Sequence, residues 1–268
     1  MKRFFLSLII MVSPFIANAE IASGNDCGKE CSWSISDDGT LTILGKGDMK
    51  NWSASQTPWA AYASKVNSIK VGEGITSIGN WAFFVFHASE ISLPNTLTSI
   101  GASAITWMDN LKELHLPDSL LYVGNGAFYG LTELENIVIP DSVISIGADA
   151  FGRDYKLKSI TIGDKTILEG DPFKDPTDDR VYTGGQAQGG TVVFCTGQIS
   201  QCKDNFGDYR DKVQEANKKT INGVTYVYDK NGNLVVKDGK RFEKRIYTVE
   251  EAAAVSKPTG NTFKLRYK

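Results

Sequence analysis

Val143-Ile144-Ser145-Ile146-Gly147-Ala148-Asp149-Ala150-Phe151 is the fourth appearance of one phrase in this chain. Ile75-Thr76-Ser77-Ile78-Gly79, Leu97-Thr98-Ser99-Ile100-Gly101 and Leu120-Leu121-Tyr122-Val123-Gly124 precede it at intervals of twenty-two or twenty-three residues. Each copy leads to Ala and a large apolar residue (Ala82-Phe83, Ala104-Ile105, Ala127-Phe128). A second apolar word follows, clearest as Leu111-Lys112-Glu113-Leu114-His115-Leu116-Pro117. A fixed period of this size marks a solenoid. One copy cannot bury its own apolar face, so each needs a neighbour on both sides and the ends need caps. The expected fold is mainly β: a short solenoid of about five coils with an N-terminal β cap and a small α+β C-terminal appendage.

Within a repeat the two words do different work. In Leu134-Glu135-Asn136-Ile137-Val138-Ile139-Pro140 a turn enters a short strand, with Ile137 and Ile139 pointing inward and Val138 outward. Proline cannot donate to a ladder, so Pro94, Pro117 and Pro140 mark the corner where each coil leaves the sheet. Asp118-Ser119 and Asp141-Ser142 are polar turns. The glycine closing each Ser-Ile-Gly word is expected to permit a tight second corner. The small Ala then faces the crowded interior while the ring fills space between coils. The outward strand positions are Lys70, Ser92, His115, Val138 and Thr161, with Ser68, Glu90, Glu113, Asn136 and Ser159 two places earlier. These ten residues form the expected ligand-binding face. They are mostly small and polar with no aromatic anchor, which predicts a weak or wide contact. A merely solvated face is the other reading. Trp52, Trp59, Trp81 and Trp107 read as cap and corner packing.

The phrase from Ile139-Pro140-Asp141-Ser142-Val143 through Phe151 resembles the BspA-like class of leucine-rich repeats found in exported and surface proteins. Cys31-Ser32-Trp33, Asp37-Asp38-Gly39-Thr40-Leu41-Thr42-Ile43, Gly47-Asp48-Met49 and Pro58-Trp59 extend the likeness, which covers about residues 27–163. The resemblance implies a right-handed coil with a strand ladder on one face, a role in adhesion or protein recognition, and no catalytic residues to carry over. The family often has cysteine three residues after the repeat Phe; here Phe86, Met108, Leu131 and Asp154 stand there. Asp154 and the Gly163-Asp164 corner suggest that regular stacking ends at that point. Ile105 replaces a ring, and Trp107 is expected to fill the space.

Residues 1–19 read as a signal peptide: Lys2 and Arg3, an apolar run over 4–16, then Ala17-Asn18-Ala19. A retained anchor is the rival, but the run is short for about 30 Å of hydrocarbon. Residues 20–65 are assigned to the N-terminal cap, 66–163 to the repeats, 164–219 to a C-terminal cap with loop and helix, and 220–268 to a basic hairpin, helix and strand. In an oxidising compartment Cys27 with Cys31, and Cys195 with Cys202, is the simplest pairing. Zinc is the alternative, against which stand the spacing and the placement of His87 and His115 inside repeats. Thr191-Val192-Val193-Phe194-Cys195 reads as the last strand of the ladder, and residues 198–219 have helical spacing. Val224 to Tyr228 and Leu234 to Val236 flank an Asn-Gly turn that signals a hairpin. A calcium loop there lacks the bidentate acid and the correctly placed glycine. Thr248 with Glu251 forms a capping-box pattern, and residues 262–267 alternate as a strand that could pair with the hairpin or add to a partner.

Residues 20–202 hold twelve basic and twenty-two acidic side chains, whereas 203–268 hold fifteen basic and nine acidic. A cationic tail beside an acidic body can mean contact with an anionic surface polymer, nucleic acid or lipid, or only a solvated face. No nucleic-acid motif, phosphate loop, Gly-x-Ser-x-Gly elbow or His-Glu-x-x-His is present. The expectation is an exported, non-enzymatic binding protein, secreted, periplasmic or on the cell surface, without cofactor or metal. Its partner would be a protein or a surface glycan, with no nucleic acid and no transmembrane anchor after signal cleavage. A carbohydrate-binding module and a structural envelope spacer are the alternatives.

Overall fold

The computed structural model describes residues 19–174, 191–221, 224–237 and 240–241 of the 268-residue chain. The first eighteen residues of the expected signal peptide, and the expected helix and strand beyond Thr248, lie outside the described residues. Strands β1 (Glu20–Ser36) and β2 (Thr40–Met49) form an antiparallel hairpin. Its turn is closed by Gly39 at φ 80° and by Asp38, which accepts from the Ser36 hydroxyl at 2.6 Å. The Cys27–Cys31 disulfide lies within β1, across the irregularity between Gly28 and Glu30.

The repeats supply β3 (Ser68–Val71), β4 (Ile75–Ile78), β5 (Glu90–Ser92), β6 (Ser99–Ile100), β7 (Tyr122–Val123), β8 (Asn136–Val138), β9 (Ser145–Ile146), β10 (Ser159–Ile162) and β11 (Ile167–Leu168). They build two parallel ladders, where the family resemblance implied one. The first runs β2-β3-β5 and resumes as β8-β10; the second runs unbroken as β2-β4-β6-β7-β9-β11. Strand β2 serves both, its Thr40–Ile43 half pairing with β3 and its Gly47–Asp48 half with β4. The hairpin therefore starts two sides of the coil at once.

The third side hydrogen-bonds through left-handed backbone. Pairs four residues apart have positive φ in four successive coils: Trp81 and Val85, Ser103 and Trp107, Gly126 and Gly130, Asp149 and Arg153. This turns alternate N–H groups along the solenoid axis, so that Trp81 donates to Ala102, Phe83 to Ala104 and Val85 to Thr106. The polar corner turns stitch coils together as well. Hydroxyls of Thr96, Ser119, Ser142 and Thr166 donate to the carbonyls of Ile75, Leu97, Leu120 and Val143 at 2.6–2.9 Å, satisfying acceptors that the corner would otherwise bury unpaired.

Inside, Ala82, Ala104, Ala127 and Ala150 are fully buried and the rings stack: Trp59 on Phe83 at 6.0 Å, Phe128 on Phe151 at 5.8 Å. Trp107 does not fill the space beside Ile105. It lies half-buried on the third side, edge-on to Tyr129 at 5.4 Å, with the Arg153 guanidinium 5.6 Å from its ring centre. The indole lies over Gly130, whose absent side chain leaves room for it. The Ser-Ile-Gly glycines also act differently from expectation. Gly79, Gly101, Gly124 and Gly147 have no left-handed φ. A Cβ there would collide with the preceding coil, for example 2.6 Å from the Ala102 nitrogen at position 124. Close approach of coils, and not torsional freedom, requires them.

Stacking continues past Gly163. β11 pairs with β9, Asp149 donates to Asp171, and Phe173 meets Phe151 at 6.3 Å. Next come β12 (Val192–Cys195), α1 (Ile199–Asn205), a 3-10 turn over Gly207–Lys212, and β13 (Val213–Ile221). The helix expected over 198–219 is thus confined to its first third. Gly207 at φ 45° breaks it, and Val213 is buried by pairing with β12 and Ala216 by packing with Phe194 of that strand, which outweighs helical spacing. Nor is β12 the final ladder strand, because β13 extends the sheet and crosses the expected boundary at 219/220. The Cys195–Cys202 disulfide ties β12 to α1, and Phe206 seals the coil end against Phe173. Antiparallel strands β14 (Val224–Asp229), β15 (Leu234–Lys237) and β16 (Lys240–Arg241) complete the sheet β16-β15-β14-β13-β12-β10-β8. The hairpin turns where the Asn-Gly signal placed it. Both Asp229 carboxylate oxygens accept hydrogen bonds from Asn231 and Asn233.

Candidate recognition surface

The seven-stranded sheet curls, bringing β16 back against β8. Phe194, Ala216, Val227 and Val236 form a small second core beneath the curl, with Val138, Val192 and Val235 packed on it. The first ladder's outer face is therefore covered over its last coils. Of the expected face, Lys70, Glu90, Ser92 and His115 are exposed and Ser68 and Glu113 half-buried. Asn136, Ser159 and Thr161 are buried and Val138 is packed away, which corrects the expectation of one continuous solvent-facing wall. Under the curl the Ser159 hydroxyl donates to Asn136 Oδ1 at 2.7 Å, whereas Thr161 Oγ1 has no partner among the described residues. Lys218 on β13 reaches back to Asp141 at 2.7 Å and helps hold the curl down.

The open part is itself interrupted. Thr42, Lys70 and Ser92 stand in register, as do Thr40, Ser68 and Glu90. Glu113 and His115, 3.7 Å apart, are not on a strand. Lys112-Glu113-Leu114-His115-Leu116 lacks the β-branched residues that Ile69, Ile91, Ile137 and Ile160 supply in the other coils, and its backbone makes no ladder there.

The second ladder carries a surface that reading the repeats did not single out. In its first three words the first and fourth residues point inward, leaving the second and third outside; in the fourth, Ile144 stays outside while Ser145 is buried. In the first two copies these are Thr76, Ser77, Thr98 and Ser99. In the later ones they become Leu121, Tyr122 and Ile144, joined by Ile167 on β11. Tyr122, Ile144 and Ile167 are 49%, 44% and 57% exposed, and Tyr122, Ser145 and Ile167 share one register row. The signal was in the sequence as a change from hydroxyl to apolar at the same two places. It became readable once both places were known to face out.

The tryptophans do not line up on an open face. Trp59 is in the core with its indole N–H on the Ala82 carbonyl at 2.8 Å, Trp33 bonds Asp26, and Trp52 packs edge-on to Trp59. Among titratable groups the outlier is Asp154. Burial drives its carboxyl well above the ordinary carboxylate range, against the pull of backbone donors Leu131 and Gly130. Its Oδ1 accepts from Leu131 at 2.7 Å, so it replaces an apolar core residue by a hydrogen-bonding one. All four cysteines are consumed in disulfides, so none remains as a thiolate ligand. No group of three or more potential metal-ligating side chains occurs among the described residues. No helix there is long and apolar enough to cross a membrane.

Residues 60–177 match the BspA type leucine rich repeat region in six copies. The solenoid is a BspA-type leucine-rich repeat. These repeats reach beyond 66–163 on both sides, in keeping with the coil that ends at Phe173. The fold is similar to a leucine-rich repeat protein from Eubacterium ventriosum, at 23% identity and a TM-score of 0.54 over 80% of this chain and 50% of that one. A leucine rich cell surface protein from Faecalibacterium prausnitzii aligns at 18% identity and a TM-score of 0.44, over 77% of this chain and 59% of that one. The chain thus spans about half the length of the Eubacterium protein. No curated protein matches.

Proposed function

We propose that this BspA-type repeat protein is an exported, non-enzymatic binding protein that recognises another protein through its repeat surface, in adhesion or a related contact at the cell exterior. The observation that carries this reading is the apolar row Tyr122, Ile144 and Ile167 on an otherwise hydroxyl-rich ladder. Large aliphatic and aromatic side chains held outward on rigid backbone, Tyr122 and Ile167 in one register row and Ile144 one place beside it, suit the centre of an interface. The polar residues Lys70, Glu90 and Ser92 on the other ladder, and Glu113 and His115 in the coil that interrupts it, would act as a second, weaker contact or a rim. Two disulfides, one at each end of the coil, support residence in an oxidising compartment.

The test compares capture from surface extracts by the wild-type protein, by Tyr122→Ser/Ile144→Ser/Ile167→Ser, and by Lys70→Ser/Ser92→Ala/His115→Ser. Loss of the same captured protein in the first variant, with retention in the second, supports the reading. Undiminished capture by the apolar-row variant, folded as judged by its thermal transition, removes it.

A further inference from the structure

A second surface lies on the terminal sheet, on the side away from the curl's small core. Alternation along β13 and β14 sends Ala216, Lys218 and Val227 inward and Lys219 and Tyr226 outward. Cross-strand register then sets Lys219 opposite Tyr226, Tyr226 opposite Lys237, and Lys237 opposite Lys240. With strands about 4.8 Å apart, Lys219 and Lys237 flank the tyrosine at a backbone separation of about 10 Å. The Lys237 ammonium sits 5.8 Å from the centre of the Tyr226 ring.

The other cations of this region are mostly matched. Lys218 pairs with Asp141, Arg210 with Asp204 and Lys212 with Asp211. Lys219 and Lys237 have no carboxylate partner among the described residues. The acid on the same side of β13, Glu215, is four residues from Lys219. Tyr228, in the next row, is buried and the exposed Asn217 opposite it is uncharged, so the cationic part of this side is the lysine row itself. The row stands on the cationic end of a chain whose body carries twenty-two acidic residues against twelve basic. A polyanion is repelled by the body and attracted to this tip, which orients the encounter.

We propose that the Lys219–Tyr226–Lys237 row is a docking site for a linear anionic polysaccharide. The lysines flank a span comparable with a disaccharide, so the two ammonium groups can meet anionic groups two saturated rings apart along the polymer. A single-stranded nucleic acid is less well served, because the one aromatic ring of the row is already covered by Lys237 and gives no free platform for base stacking. The site is separate from the apolar row on the second ladder. It would hold the protein at an anionic surface while the solenoid stays free to bind.

The experiment measures binding of the full chain to heparin and to polygalacturonate, with dextran as neutral control, between about 50 and 200 mM salt. Binding is expected to weaken with salt, and the slope of log K against log salt to fall by about one for each of Lys219→Gln and Lys237→Gln. The charge-keeping Lys219→Arg and Lys237→Arg variants should restore it, and Lys50→Gln, at an exposed cation at the end of the N-terminal hairpin, should leave it unchanged. No salt-dependent binding to either polymer at the lowest salt, or slopes unmoved by both Gln variants, overturns the proposal. Equal or tighter binding of a duplex or single-stranded oligonucleotide through the same lysines overturns the choice of polysaccharide. The surface Gln variants are checked by their thermal transition. Should one unfold, the single substitution that keeps the fold decides the slope.

Discussion

Replacing Gly124 and, separately, Gly126 by alanine distinguishes two reasons for a glycine two residues apart in the same corner. At 124 the added Cβ would stand 2.6 Å from the Ala102 nitrogen and 2.7 Å from the Gly101 carbonyl carbon, where ordinary contact begins at 3.4 Å. Both obstacles are backbone, so the coils must part by about 0.8 Å at that corner. The Gly124 N–H bond to the Ile100 carbonyl, now 2.8 Å, would stretch out of hydrogen-bonding range. Overpacking costs about 1–3 kcal/mol and the lost bond about 1 kcal/mol, so Gly124→Ala should cost about 3 kcal/mol. At 126 the nearest atom to a Cβ is the Ser103 hydroxyl at 3.6 Å, so there is room, but φ is 59°. Left-handed backbone costs an alanine about 1–2 kcal/mol, offset by about 0.4–1 kcal/mol from the stiffer unfolded chain, leaving about 1 kcal/mol. Guanidinium unfolding followed by tryptophan fluorescence and by circular dichroism would measure both. A Gly126→Ala loss equal to that of Gly124→Ala, or a Gly124→Ala loss below about 1 kcal/mol, would refute the steric account.

Val85 is a β-branched residue at φ 60° and partly exposed, so Val85→Asn should raise stability by about 1 kcal/mol, read as a higher denaturation midpoint. Asp154 binds its proton more tightly folded than unfolded. Its contribution is complete below the ordinary value of 3.8 and is lost as pH rises towards the raised folded value. Asp154→Asn keeps an oxygen for the Leu131 N–H and cannot ionise. Wild-type stability should therefore fall relative to the variant as pH rises above about 4, and a constant difference would count against burial as the cause. Cys195→Ser/Cys202→Ser should lose about 2 kcal/mol by freeing a short loop, with α1 and β12 gaining hydrogen exchange ahead of the N-terminal hairpin.

The period and the inward residues of each word were legible because they are local: Ile78, Ile100, Val123 and Ile146 recur at fixed places and each is buried. The disulfide partners were legible for the same reason, being four and seven residues apart. The sixth coil was harder, since Thr166-Ile167-Leu168 and Pro172-Phe173 keep the apolar places while shifting the glycine. Residues 213–221 misled because their burial depends on a neighbour, β12, that is remote from helical spacing.

Sequence alone determined that the chain stacks, which residues make the interior, and where coils turn, since these follow from side-chain chemistry repeated at one interval. Tertiary structure decided which outward residues meet solvent. Val138 and Thr161 occupy the same outward strand position as Lys70 and Ser92, yet a sheet folding back from seventy residues later encloses the first pair and leaves the second pair open. Burial is a property of what arrives from elsewhere in the chain, and no repeat carries that information in its own residues.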